Sequence, residues 1–364
     1  MSSQPPPKIG RILVRGTNWI GDAVMSTPAL QRLRASFPDA RISLLTTPLT
    51  CELLADRGLV DEVIPYYRQR DGWRALWQTL PDLRRERFDL AILFQNAFEA
   101  ALLARLAGIP HRIGFATQGR SHLLTCRLQR GPEYRNRHQI GDYLELVAAS
   151  ERLFCGTDFQ PDDESPLPRL ICRDTEQAAG DRLLRARGLS ASVGPLVALN
   201  VGATNSRAKC WPADYYGALA RHLGESQRAK ILLIGGPGEV ESANAVARAA
   251  NTPDLINLAG ATTLGELLGI LNRCALVISN DTGPAHIAAA LGRPTLTLFG
   301  PTNEFETSPT GSHSALIRAS GIECARCMYR DCPIDHRCMT RLSVETVYNS
   351  ALELMIDQVA EGER

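Results

Sequence analysis

The sequence predicts an α/β protein of two doubly wound halves, and three observations carry that prediction. Short apolar runs of strand length alternate with helix-length segments along the 364 residues. The alternation breaks at residues 159–169 (FQPDDESPLPR), where proline and acid crowd into a linker. On both sides of that break, loops after strands carry glycine, small polar residues and isolated charges. That is the chemistry of ligand loops at the carboxyl ends of parallel strands.

In the first half, Ile12-Leu13-Val14 is a strand leading into Gly16-Thr17-Asn18-Trp19-Ile20-Gly21-Asp22. A helix is expected over residues 23–36, stopped by Pro38-Asp39, and Arg41-Ile42-Ser43-Leu44-Leu45-Thr46 is the next strand. Strand, helix, strand is a βαβ unit, so a parallel sheet with right-handed crossovers is expected. The loop lacks G-x-G-x-x-G, which gives no support to a nicotinamide site, and the chain has no P-loop motif. Asp22 stands where a strand end meets a helix start. It can be a general base there, or simply an acid favoured at a helix N-terminus.

Val63-Ile64-Pro65 and Leu90-Ala91-Ile92-Leu93-Phe94 read as further strands. Between them Trp73, Leu76, Trp77, Leu80 and Leu83 recur at helical spacing, as a core stripe or a membrane contact. Residues 111–138 turn basic: Arg112, Arg120, Arg127, Arg130, Arg135 and Arg137 face only Glu133. Arginine suits bidentate binding of phosphate or carboxylate. Arg112, Arg120, Arg135 and Arg137 are therefore candidates for an anionic acceptor, with an ordinary solvated face as the alternative.

The second half opens with an amphipathic helix over residues 176–188 and the strand Pro195-Leu196-Val197-Ala198-Leu199-Asn200. The loop after it holds Thr204, Asn205 and Lys209 before Trp211-Pro212. The first two can bond phosphate and Lys209 supplies a point charge. Lys230-Ile231-Leu232-Leu233-Ile234 ends in a glycine turn and Glu239, which can accept bonds from a ribose or merely start a helix. After Leu255-Ile256-Asn257-Leu258, Thr262 or Thr263 caps a helix over residues 264–272.

The strand Ala275-Leu276-Val277-Ile278 then runs into Ser279-Asn280-Asp281-Thr282-Gly283-Pro284-Ala285-His286. Asp281 or Thr282 can cap the helix that follows, and Pro284 suits its first turn. Gly283 lets a ligand approach the backbone, and the N–H groups and helix dipole favour an anion. His286 is a packed residue or a ligand contact. Gly292-Arg293-Pro294 ends the helix before the strand Thr295-Leu296-Thr297-Leu298-Phe299.

Net charge is +1, so nothing drives the whole chain toward nucleic acid. No run approaches the ~20 apolar residues that span a bilayer. The first residues lack the apolar core of a secretory signal, so a cytoplasmic protein is expected. Of ten cysteines, Cys324, Cys327, Cys332 and Cys338 cluster as C-x2-C-x4-C-x5-C around His336. They could hold a structural zinc or iron–sulfur group, pack as thiols, or form disulfides on oxidation.

Several of these stretches together resemble glycosyltransferase family nine, the bacterial heptosyltransferases. They are Trp19-Ile20-Gly21-Asp22-Ala23-Val24-Met25-Ser26-Thr27-Pro28, Ala208-Lys209-Cys210-Trp211-Pro212 and Ser279 to His286. The cysteine spacing resembles the type-II members. The likeness runs from about residue 9 to 354. It implies a GT-B architecture: two Rossmann-like domains, 1–170 binding acceptor and 171–343 binding nucleotide sugar, with parallel sheets facing a central cleft. It also implies a last helix within 344–364 that packs back on the N-terminal domain.

The implied reaction moves a heptose from ADP-heptose, with inversion, to the inner core of lipid A-linked lipopolysaccharide. It requires no cofactor and involves peripheral contact with the inner-membrane surface. Asp22 matches the family's proposed base; Thr204, Asn205 and Lys209 its phosphate loop; Asp281, Thr282, Gly283 and His286 its sugar and diphosphate loop. Glu239 falls near the ribose acid and Thr262 near the adenine contact. Cys210 replaces a basic residue of the type-II pattern, and the loop reads GATNSRAK rather than the usual type-II loop.

The expected chemistry is a single displacement. A carboxylate takes the acceptor proton, while Lys209 and the N–H groups at Thr282-Gly283 steady the departing ADP. The alternatives are a GT-B sugar-nucleotide epimerase or hydrolase, a family-nine transferase with another donor or acceptor, and a non-catalytic nucleotide binder.

Overall fold

In the computed structural model, which describes residues 7–131, 136–156, 167–189, 194–204 and 206–362, the chain forms two units, Met1–Pro168 and Arg169–Arg364. The first holds strands β1 (Arg11–Arg15), β2 (Arg41–Thr46), β3 (Glu62–Pro65), β4 (Leu90–Leu93), β5 (His111–Phe115) and β6 (Cys126–Leu128). Their order in the sheet is β3-β2-β1-β4-β5-β6, with every pairing parallel. The second holds β7 (Leu196–Asn200), β8 (Lys230–Ile234), β9 (Leu255–Asn257), β10 (Leu276–Asn280), β11 (Thr295–Phe299) and β12 (Ser314–Arg318). These are also all parallel, in the order β12-β11-β10-β7-β8-β9.

Read from its other edge, the second order repeats the first. Both units are therefore doubly wound, as expected, and each has its switch point between its first and fourth strands. Ligands of such sheets bind beyond the carboxyl ends of the strands at that point. The central strands are buried completely, which is why β7 (LVALN) and β10 (LVISN) each open with three apolar residues.

Three details depart from the sequence expectation. The helix expected over 23–36 is two helices, Ile20–Met25 and Thr27–Ser36. The Ser26 hydroxyl donates to Ala23 O and the Thr27 hydroxyl to Val24 O, and Pro28 then starts the second helix. Strands β5, β6 and β12 were not anticipated; β5 and β6 lie inside the segment read as a basic face. In the helix Arg74–Glu86 the stripe splits: Leu76, Leu80 and Leu83 are core, while Trp73 and Trp77 are 53% and 62% exposed.

The last helix, Val344–Gly362, seals its Val347 and Ala351 in the second unit's core with Trp211, Tyr216 and Ile278. Apolar residues four apart on one face need a partner surface, and these find it within their own unit. Close packing there depends on bare backbone elsewhere too. The helices Asp174–Ala186 and Leu264–Arg273 meet at Gly180, where a Cβ would lie 2.7 Å from the Gly269 backbone.

Candidate active site

In the second unit, four strand ends stand side by side in the order β10, β7, β8, β9. At ~4.8 Å per strand they span about 15 Å. The loops after them carry, in the same order, Asp281 to His286, Thr204 and Lys209, Glu239, and Thr262.

Two asparagines that close apolar strands build the centre. Asn200, at the end of β7, donates from Nδ2 to Ser279 Oγ at 3.1 Å and Thr282 Oγ1 at 2.6 Å. Asn280, at the end of β10, is fully buried. Its Nδ2 donates to Val201 O at 3.0 Å and Gly202 O at 3.2 Å. Its Oδ1 accepts from Trp211 N at 3.2 Å and Tyr216 OH at 3.1 Å. All four polar positions of the amide are thus used to tie the β7 loop to the β10 loop. Trp211 closes the far side, its indole N–H donating to Leu342 O at 2.9 Å and its ring 4.9 Å from that of Tyr216.

Lys209 is thereby aimed at the opposite loop. Its Nζ donates to Asp281 O and Asp281 Oδ2, each at 3.0 Å. Asp281 is 4% exposed. An ammonium has three protons, and these bonds use two. The helix Gly283–Ala290 begins beside this pair, with Thr282 at its N-cap in extended backbone. The expected cap from the Thr282 side chain is absent: its Oγ1 donates to Asn280 O at 3.3 Å instead of accepting from the first turn's N–H groups. His286 is buried in that first turn.

Glu239 caps the turn after β8, its Oε2 accepting from Gly236 N at 2.7 Å. It lies against Gly202, where a Cβ would come within 2.6 Å of it, so only glycine lets the β7 and β8 loops approach. Thr204, exposed, donates to Glu239 Oε1 at 3.5 Å. Burial, then Glu239, pushes the neighbouring Cys210 thiol up to about 11, which keeps it neutral and unreactive at pH 7. Thr262 is half-buried beyond β9, and the cap of the next helix is Thr263, paired with Glu266. Asn205 lies outside the described residues.

In the first unit, Asp22 sits in the first turn of the helix Ile20–Met25, half-buried, at the β1/β4 switch point. Tyr143 faces it: burial and then the Asp22 charge hold that phenol well above its ordinary range. The Tyr143 ring also packs 5.0 Å from Phe94, which follows β4. Beneath the Asp22 loop, Arg15 is 1% exposed and donates to Gly16 O at 2.6 Å and Asn18 Oδ1 at 3.2 Å. Its guanidinium lies 4.8 Å from the centre of the Tyr66 ring, and the Tyr66 hydroxyl donates to Glu99.

The expected acceptor arginines do not form one group. Arg120 is 0% exposed, and its guanidinium bonds Phe115 O at 2.9 Å, Gln95 O at 2.6 Å and Asn96 Oδ1 at 2.8 Å. It braces the loop after β4 and has no face for a ligand; burial, then Arg130, brings its pKa down to about 10. Arg112 is likewise buried, bonding Leu123 O at 2.7 Å, Pro110 O at 3.2 Å and Ile109 O, near the amino end of β5. Arg137 reaches the surface beside Glu145 and Gly141 O. Arg135 lies outside the described residues.

Among the described residues, no group of three or more Cys, His, Asp or Glu side chains stands as metal ligands do. Cys324, Cys327, Cys332 and Cys338 are free thiols. They still lie close, since burial and then Cys327, Cys332 and Cys324 push Cys338 up to about 11. Their loop braces the Lys209 turn. His336, in left-handed backbone at φ 57°, places Nε2 2.7 Å from Ala208 O. Ala208 N donates to Arg330 O at 2.9 Å, and Arg207 Nε to Asp331 Oδ1 at 2.7 Å. The loop is pinned in turn by Arg326, which donates to Glu304 Oε2 at 3.1 Å and Oε1 at 2.5 Å.

Sequence reasoning missed Asn200, Asn280, Arg15 and His336 as organisers. For the asparagines a signal existed: each ends a strand that opens with an apolar run, where a buried amide must find partners.

Comparison with known proteins points the same way. The family model of glycosyltransferase family 9 (heptosyltransferase) matches residues 73–337. Lipopolysaccharide heptosyltransferase 2 of Escherichia coli is 29% identical over 317 residues, covering 85% of this chain and 88% of that protein. Lipooligosaccharide heptosyltransferase 2 of Haemophilus ducreyi is 30% identical over 318 residues, with 85% and 88% covered. The structure of E. coli ADP-heptose lps heptosyltransferase II superposes with a TM-score of 0.79 at 27% identity, covering 96% of this chain and 99% of that one.

Proposed function

This chain belongs to glycosyltransferase family 9, and on that premise we propose that it transfers a heptose from ADP-heptose to the inner core of a lipid A-linked saccharide. The observation that carries the donor assignment is the order of the second unit's strand ends. Diphosphate and sugar are assigned to the uncapped helix start and Lys209, ribose to Glu239 and adenine to the loop of Thr262, one strand end after another across about 15 Å, the scale of a nucleotide sugar.

The third ammonium proton of Lys209 goes to a phosphate oxygen, while Asp281 holds the other two. The helix N–H groups and dipole add to that field. As the bond from the anomeric carbon to the diphosphate oxygen breaks, charge grows on ADP where these donors already point. No reorganisation is then needed in the transition state. In the first unit, Asp22 takes the proton of the attacking hydroxyl, which forms the new bond from the opposite side and inverts the carbon. Arg137 is the remaining described candidate for an anionic group of the acceptor. The cysteine loop is assigned the bracing of the Lys209 turn. We place the protein in the cytoplasm, at the membrane surface that carries the acceptor.

The test is ADP release from ADP-heptose with and without a mono-heptosylated core acceptor. Release only with acceptor is expected; release without it makes the protein a hydrolase. Asp22→Ala should abolish transfer while ADP still binds by calorimetry, and near-normal turnover would remove Asp22 from the role of base.

A further inference from the structure

Several large apolar side chains of the first unit are exposed, and four of them lie in connections that leave the carboxyl ends of its strands. Trp19, 49% exposed, follows β1; Leu49, 51% exposed, follows β2; Trp73 and Trp77 follow β3. Strands β3, β2 and β1 are consecutive neighbours, with β1 and β3 about 10 Å apart, so the connections that carry these groups leave from adjacent carboxyl ends. Asp22 lies on the same edge, three residues after Trp19. The surface is also basic. Arg68, Arg70 and Arg74 surround Trp73 against one acid, Asp71, which Arg70 engages at 2.8 Å. The Arg68 guanidinium stands 4.8 Å from the centre of the Trp73 ring, holding the indole outward with a cation beside it.

We propose that this edge of the first unit, led by Trp73 and Trp77 with Arg68, Arg70 and Arg74, docks on an anionic lipid bilayer surface and so presents the Asp22 loop to a lipid-linked acceptor. The proposal rests on the reading of the acceptor as lipid-linked. Indole rings settle at the boundary between headgroups and acyl chains, and arginines beside them meet lipid phosphates. The leucine face of the same helix is spent on the core, while Trp73 and Trp77 keep more than half of their surface exposed. A second copy of the chain is a poorer occupant. A two-fold contact would set the same arginines against each other.

Sedimentation with phosphatidylglycerol-containing vesicles, and with pure phosphatidylcholine vesicles as control, tests this. The full chain should bind the first and not the second, with binding weakened in high salt. Trp73→Ser/Trp77→Ser should cut binding at least tenfold, and Arg70→Glu/Arg74→Glu by more than roughly fivefold per arginine. All these side chains are surface groups, so both variants should melt as the parent does and turn over a lipid-free acceptor saccharide at the parent rate. Vesicle binding unchanged in both variants overturns the proposal. So does absence of binding by the parent, or a loss of self-association in the variants with vesicle binding intact. Failure of the parent to use the lipid-free acceptor would instead strike the transferase reading, whatever the vesicles show.

Discussion

Replacing Lys209 by Met separates two jobs that one side chain performs. Its Nζ binds Asp281 through the carbonyl and Oδ2 at 3.0 Å, and the side chains are 25% and 5% exposed. On stability, a nearly buried carboxylate loses its cation. A hydrogen bond to a charged group is worth ~1.5–3 kcal/mol, and the lysine's partial exposure puts this one near the lower figure. For a unit of this size that lowers Tm by roughly 3–6 °C. On turnover, one preorganised donor to the leaving group is lost, which costs ~100- to 1,000-fold in kcat, or about 2.7–4 kcal/mol.

Calorimetry and ADP release at saturating ADP-heptose read the two effects. The pair Lys209→Met/Asp281→Asn no longer carries an unpaired buried charge. Its melting temperature should return most of the way while turnover stays low. Turnover of Lys209→Met within about fivefold of the parent would refute the leaving-group role, since a single lost donor should cost far more. Turnover that recovers together with melting temperature in the pair would reduce Lys209 to a strut.

Two further outcomes follow from neighbouring groups. Asn280→Ala removes four hydrogen bonds at about 1 kcal/mol each, so calorimetry should show Tm falling by roughly 8–16 °C, and a fall below about 3 °C would refute its part in joining the loops. Burial disfavours the Glu304 carboxylate, but bonds from Arg326 and Arg318 outweigh it and bring its pKa from 4.5 down to about 2. Because the folded value is the lower one, this stability is fully present above about pH 5 and is lost as pH falls toward 2. Glu304→Gln should therefore flatten the fall of Tm between pH 5 and 2; an unchanged acid profile would show that the clamp on the cysteine loop carries no such linkage.

The loops of the second unit were legible before the structure because their chemistry is local. Glycine, small polar residues and one lysine cluster just after strands, and among the described residues Thr204, Lys209, Glu239, Thr262 and Asp281 do lie in the loops that follow strands. The partners of Arg112 and Arg120 were not legible, for the opposite reason. Arg112 and Arg120 spend most of their hydrogen bonds on main-chain carbonyls such as Leu123 O, Ile109 O and Gln95 O. A carbonyl belongs to every residue type, so such partners leave no mark in the sequence. The tryptophan stripe was half-read likewise: spacing places Leu76, Leu80 and Leu83 on one face, but cannot say whether Trp73 and Trp77 join it.

Alone, then, the sequence determined the alternation of strands and helices, the break between two units, and which loops carry charge. Those are consequences of periodicity, proline and glycine, which act within a few residues. Only the tertiary structure decided that β7 and β10 are neighbours, so that Asn200 reaches Ser279 and Lys209 reaches Asp281 across more than 70 residues of chain. Strand pairing is made by backbone groups common to all residues. Its order is chosen by the handedness of the crossovers and by which arrangement buries both faces of the sheet, and those are properties of the whole unit.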